Sequence, residues 1–141
     1  MRLRRISIRG SCRQASLVRG LIPPLASPML IYKIIPEPLW QDALTRGVFE
    51  GAPVDLADGF IHFSTGAQVV ETARRHFHGQ SQLLLLTLDD QSLGDKLIYE
   101  PSRGGDLFPH FYDQLQVSAV KRIDPLPLNA DGTHDFEGLL P

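Results

Sequence analysis

Cysteine is nearly missing from this chain: its 141 residues contain one, Cys12. That excludes an internal disulfide and leaves the rest of the chain without thiol chemistry, which suits a reducing, cytoplasmic setting. Long apolar runs are also missing, and none approaches the ~18 residues of a membrane-spanning helix, so no membrane partner is expected. No H-E-x-x-H pattern, paired-cysteine spacing, P-loop, G-x-S-x-G nucleophile elbow or dinucleotide fingerprint after the first strand occurs. His76 and His78 stand two apart at a predicted helix end and diverge, which makes a poor chelate, so no metal is expected. Repeats and low-complexity segments are absent.

Acid is missing from one part of the chain only. Residues 1–28, "MRLRRISIRGSCRQASLVRGLIPPLASP", hold six of the 14 basic residues and no acidic one. The remainder then carries eight basic against 16 acidic residues, so the overall net charge of -2 conceals a body of -8. Such a body repels a phosphate backbone, and no nucleic-acid partner is expected. The leader has the Arg-rich, acid-free character of a targeting peptide but lacks the apolar core of a secretory signal. The preferred expectation is a disordered upstream extension, with Met29 opening a single domain over residues 29–141.

That domain reads as α+β, with two helices and about five strands. "LIYKII" at 30–35 is a strand, stopped by Pro36-Glu37-Pro38, which opens a helix through Leu39, Trp40, Ala43 and Leu44 to a cap at Gly47. Residues 50–58 read as loop and 59–64 as a second strand. Thr65 with Gln68 forms a capping-box pattern for a helix whose stripe is Val69, Ala73 and Phe77, ended by Gly79. "QLLLLTLD" at 82–89 is apolar throughout, as expected of a central strand covered on both faces. "KLIYE" at 96–100 is a further strand, 101–114 a long loop, and "VSAVKRIDPLPL" one or two last strands.

Strand alternation over 59–64 sets Phe60, His62 and Ser64 on one face and Ile61 and Phe63 on the other. His62 therefore need not sit among apolar side chains, and its face is expected to line a cleft. It is not half of a catalytic triad with Ser64, because two residues along a strand separate them by about 7 Å. The loop "YEPSRGGDLFPHFY" clusters further chemistry. Glu100 stands at a strand end, and Arg103 offers a planar fork for phosphate or carboxylate. Gly104 and Gly105 allow backbone to approach a ligand. His110 and Tyr112 bring an imidazole and a phenol on alternate positions, with Phe108 and Phe111 between and beside them. An enzyme requires Glu100, His62 and an aromatic to converge on one ligand. A binding module requires only the pocket and Arg103. A structural domain would fill the cleft with Phe108 or Phe111.

"DGFIHFST", the helix after it, and "YEPSRGGDLFPHFY" together resemble a family of short bacterial proteins known as a domain of unknown function, over roughly residues 30–128. The resemblance implies an ADP-ribosyltransferase-like fold, a split, curved β-structure whose cleft in the enzymes holds NAD as substrate. "IHFS" is similar to the strand motif of RNA 2′-phosphotransferases, which implies that His62 and Ser64 contact NAD. It further implies Tyr112 beside the nicotinamide and Glu100 on the ribose. The first-strand arginine or histidine of those enzymes is replaced here, leaving Tyr32 or Lys33 for that role. Glu100, His62 and Tyr112 are thus the candidate catalytic residues. Ser64, Arg103, His110, Gly104 and Gly105 are the candidate ligand-binding ones.

Overall fold

Strand β1, Leu30–Pro36, lies inside a four-stranded antiparallel sheet of order β4-β1-β5-β9, whose other members are Ser64–Thr65, Leu83–Asp89 and Arg122–Leu126. The computed structural model describes residues 28–141, so the expectations for the leader and Cys12 lie outside the described residues. Both faces of this sheet are covered, which is why β5 needs no polar alternation. Ile31, Ile35, Leu86 and Leu88 enter one core with Trp40, Phe49, Ile61, Phe63, Phe111 and Leu115. Tyr32, Ile34, Leu83, Leu85 and Leu126 enter a second with Val69 and Ala73, against which Phe136, Leu139 and Leu140 also pack.

Helix α1, Glu37–Arg46, runs from Pro38 in its first turn to Gly47, whose left-handed φ of 84° ends it as expected. Strand β2, Val48–Phe49, pairs with β8, Leu115–Gln116. A three-stranded antiparallel sheet of order β3-β7-β6 is built from Ile61–His62, Leu107–Phe111 and Leu97–Pro101. Its Ile61, Phe111 and Leu97 pack into the first core, so its opposite face is left for polar groups. Among the described residues no helix is long and apolar enough to cross a membrane.

The α+β class is as expected, but the element count is higher, and three local readings are corrected. Residues 53–58 form helix α2, not loop: Pro53 starts it, and the Asp55 carboxylate accepts from Ala52 N at 2.7 Å. The strand read over 59–64 is two pieces in two sheets, β3 and β4, divided at Phe63. Residues 107–111 form β7, which leaves 102–106 as the turn from β6 and 112–114 as the link to β8. Pro109 has no N–H to give a ladder, yet its carbonyl still accepts from Phe63 N at 3.0 Å, so the strand tolerates it. Helix α3, Val69–His76, starts near the expected box, with the Gln68 side chain accepting from Thr65 N at 3.0 Å.

Candidate functional site

In the antiparallel register His62 stands opposite His110, and His110 opposite Ile98. Side chains opposite one another share a face, and so do those two residues apart along a strand. One face of the three-stranded sheet therefore carries His62, His110 and Glu100, flanked by Phe60 and Tyr112. Glu100 Oε1 accepts from His110 Nδ1 and from the Tyr112 hydroxyl, each at 2.7 Å. Phe60 stacks on the His110 ring with centroids 4.0 Å apart, and lies 4.6 Å from His62 and 5.2 Å from Tyr112. The His62 and His110 rings are 5.7 Å apart.

His62 is held from behind by groups the sequence did not suggest. Its Nδ1 lies 2.6 Å from Asp55 Oδ1, and its Nε2 lies 2.9 Å from Asp58 Oδ2. Asp55 is 1% exposed and also accepts from the backbone N of His62 at 3.1 Å. Lys33 Nζ reaches its two oxygens at 3.2 and 3.4 Å and donates to the carbonyl of His62 at 2.9 Å. Burial pushes the Asp55 carboxyl up, but the His62 hydrogen bond, the Lys33 charge and two backbone N–H groups outweigh it and bring the pKa to about 2. Burial draws Lys33 below its ordinary value against the pull of Asp55.

Glu100 shows the same contest. Burial raises its carboxyl, while the bonds from Tyr112 and His110 and the His110 charge leave it below the ordinary value. Its hydrogen bond in turn raises the Tyr112 phenol to about 12, with burial and the Glu100 charge adding to the shift. The site at neutral pH thus has an ionised carboxylate that orients one imidazole and one neutral phenol. The tautomer that gives Nδ1–H to Glu100 leaves His110 Nε2 as a hydrogen-bond acceptor.

A cavity of about 280 Å³ opens beside this face, lined in part by Phe60, Tyr112, Glu50 and Asp113. Its rim is acidic and aromatic. Among the described residues no group of three or more His, Cys, Asp and Glu converges to hold a metal ion.

Four of the candidate residues, His62, Glu100, His110 and Tyr112, are thus brought together. Ser64 is not with them: it sits on β4 opposite Tyr32, is buried, and hydrogen-bonds Thr72 Oγ1 at 2.9 Å. Alternation from His62 to Ser64 fails because the chain changes sheets between them. Gly104 and Gly105, with φ of 71° and 88°, shape the exposed turn of the β6–β7 hairpin. The Arg103 side chain lies outside the described residues. Neither first-strand candidate reaches the face: Tyr32 belongs to the second core, and Lys33 is committed to Asp55. Phe111 is core and Phe108 is buried, so it is Phe60 that covers His110.

Asp55 and Asp58 escaped as partners of His62 because 50–58 looked like loop, whereas alternation had already put Phe60 on the His62 face without giving it a role. Pro53 at a helix start was the available signal, since a helix from there puts Asp55 and Asp58 one turn apart, before a histidine seven and four residues on.

Two solved structures are similar to this chain in both sequence and architecture. The crystal structure of protein CC0527 from Caulobacter crescentus is 50% identical, covering 77% of this chain and 95% of that one, with a TM-score of 0.75. The solution NMR structure of CC0527 is also 50% identical, covering 79% and 96%, with a TM-score of 0.72. No curated protein matches. Residues 34–123 match the family described as "Protein of unknown function (DUF952)", and the chain belongs to that family.

Proposed function

We propose that the His62–His110–Glu100 face binds a nucleotide-like ligand of the NAD type and breaks or transfers at its nicotinamide–ribose bond, in a domain of ADP-ribosyltransferase-like architecture. The observation that carries this reading is the Glu100 carboxylate, shared at 2.7 Å between His110 Nδ1 and the Tyr112 hydroxyl on a face edged by aromatic rings. Cleaving an N-glycosidic bond moves the bonding electron pair onto the nicotinamide nitrogen and builds positive charge on the ribose, as in glycoside hydrolysis. An ionised, positioned carboxylate stabilises that charge, and Glu100 is held ionised by its two donors. A water or acceptor hydroxyl then bonds to the ribose carbon and releases its proton, which His110 Nε2 can take while Nδ1 stays on Glu100. The adjacent acidic and aromatic cavity suits the flat, positively charged nicotinamide ring of NAD.

A second reading is a non-catalytic pocket that binds a small anionic or nucleotide-like ligand without bond cleavage. It needs neither Ser64 nor Lys33, whose polar atoms are already committed to Thr72 and Asp55.

Calorimetric titration of the full chain with NAD, paired with chromatographic assay of nicotinamide, tests both. The expected result is binding that weakens at least tenfold in a folded His62→Ala variant, and nicotinamide release that Glu100→Gln abolishes while binding persists. Binding with no release supports the second reading. No heat at millimolar NAD rejects the first.

A further inference from the structure

We propose that the cleft between the four-stranded sheet and residues 138–141 is a separate ligand site, which takes a small organic anion with an aliphatic body. The register builds it: Tyr32 on β1 pairs with Thr87 on β5, and Thr87 with Arg122 on β9. These three side chains form a row across one face of the sheet, the face opposite Lys33 and remote from the His62–Glu100 site. Leu139 and Leu140 pack over the same face. A cavity of about 400 Å³ remains between the row and that segment, with Lys121 at its edge. This is within the size range of sites that enclose small molecules.

The chemistry of the walls selects the ligand. Thr87 is 6% exposed, and its hydroxyl oxygen has no hydrogen-bond partner among the described residues. A buried hydroxyl left unpaired is costly, and a bound acceptor would satisfy it. The Tyr32 phenol borders the same space, and the Arg122 charge partly counters the effect of burial on its ionisation. Two cations stand together here in a body whose net charge is -8. Arg122 is partly committed, with Nε 2.8 Å from Asp124 Oδ2 and Nη2 donating to the Gly138 carbonyl at 3.3 Å. Lys121 makes no salt bridge among the described residues, which leaves its ammonium for a ligand carboxylate. Leu30, Leu139 and Leu140 line the rest and suit an alkyl chain better than a second polar group. A hydroxyl, a phenol and two cations in a cavity otherwise walled by leucines describe an aliphatic carboxylate.

Nuclear magnetic resonance titration of the full chain with sodium octanoate tests this, with 1-octanol as the neutral control. The expected result is saturable shifts clustered on the amides of Thr87, Lys121, Arg122, Leu139 and Leu140. Lys121→Gln, at an exposed position, should weaken octanoate about tenfold, and Thr87→Val should weaken it several-fold, both with the rest of the spectrum preserved. Octanol binding as tightly as octanoate would overturn the anion assignment. Shifts that are absent, scattered, or indifferent to Lys121→Gln would overturn the site itself. Because NAD is not involved, failure here leaves the His62–Glu100 reading untouched, and the reverse also holds.

Discussion

Replacing Asp55 with Asn should be among the most damaging isosteric changes available in this chain. The carboxylate is 1% exposed and serves Lys33, the His62 ring, and the backbone N–H groups of Ala52 and His62. An amide in its place keeps one acceptor oxygen and turns the other into a donor, which must face Lys33 Nζ or a backbone N–H. Lys33 is 7% exposed, and its remaining polar partner is the His62 carbonyl, with the Phe49 and Phe63 rings about 6 Å away. Leaving one partner of a buried pair uncompensated costs ~3–5 kcal/mol, a large share of the ~5–15 kcal/mol that holds a typical domain folded. Lys33→Met should cost less, because Asp55 keeps three other donors and the aliphatic stem is preserved. The double variant should be more stable than the sum of the single losses allows, by ~1–3 kcal/mol. The pH dependence has a definite sign. Asp55 titrates at about 2 in the folded chain against an ordinary 3.8, so its contribution is present above pH 4 and is lost as pH falls toward 2. That contribution is about 2 kcal/mol, and Asp55→Asn should lack it. Urea unfolding followed by the fluorescence of Trp40, the only tryptophan and a core residue, measures all three variants. A loss below ~1 kcal/mol for Asp55→Asn, or strict additivity in the double variant, would refute the reasoning.

Two further outcomes follow from named contacts. Glu100→Gln should lower the Tyr112 phenol from about 12 toward its ordinary 10, seen as an earlier-titrating tyrosinate absorbance that Tyr112→Phe removes; an unchanged titration would mean that Glu100 does not govern Tyr112. Ser64→Ala should cost ~1 kcal/mol of stability through the lost Thr72 hydrogen bond. It should also leave any binding at the His62–Glu100 face within about twofold, since the two groups lie in different sheets; a tenfold loss of binding would contradict that separation.

Much of the architecture was legible because it depends on neighbours in the chain. The uninterrupted apolar run Leu83–Leu86 means a strand covered on both faces wherever it lands, and it landed between β1 and β9. Gly47 ends its helix through its own backbone freedom, and period-two alternation put His62 away from Ile61 before any partner was known. His110 and Tyr112, two apart, were likewise bound to share a side. What distant segments decide could not be read that way. Residues 101–114 look like loop by composition, yet Leu107–Phe111 becomes a strand because β3 and β6 lie on either side to pair with it. Ser64 and His62 part company at Phe63, where the chain passes from one sheet to another. Lys33, a candidate for the first-strand ligand contact, is instead met in the interior by Asp55, 22 positions on. Local spacing determines which side chains share a face, because strand and helix periods are properties of the backbone. Only the tertiary fold determines which face is covered, and so which histidine acquires a carboxylate and which serine loses its place at the site.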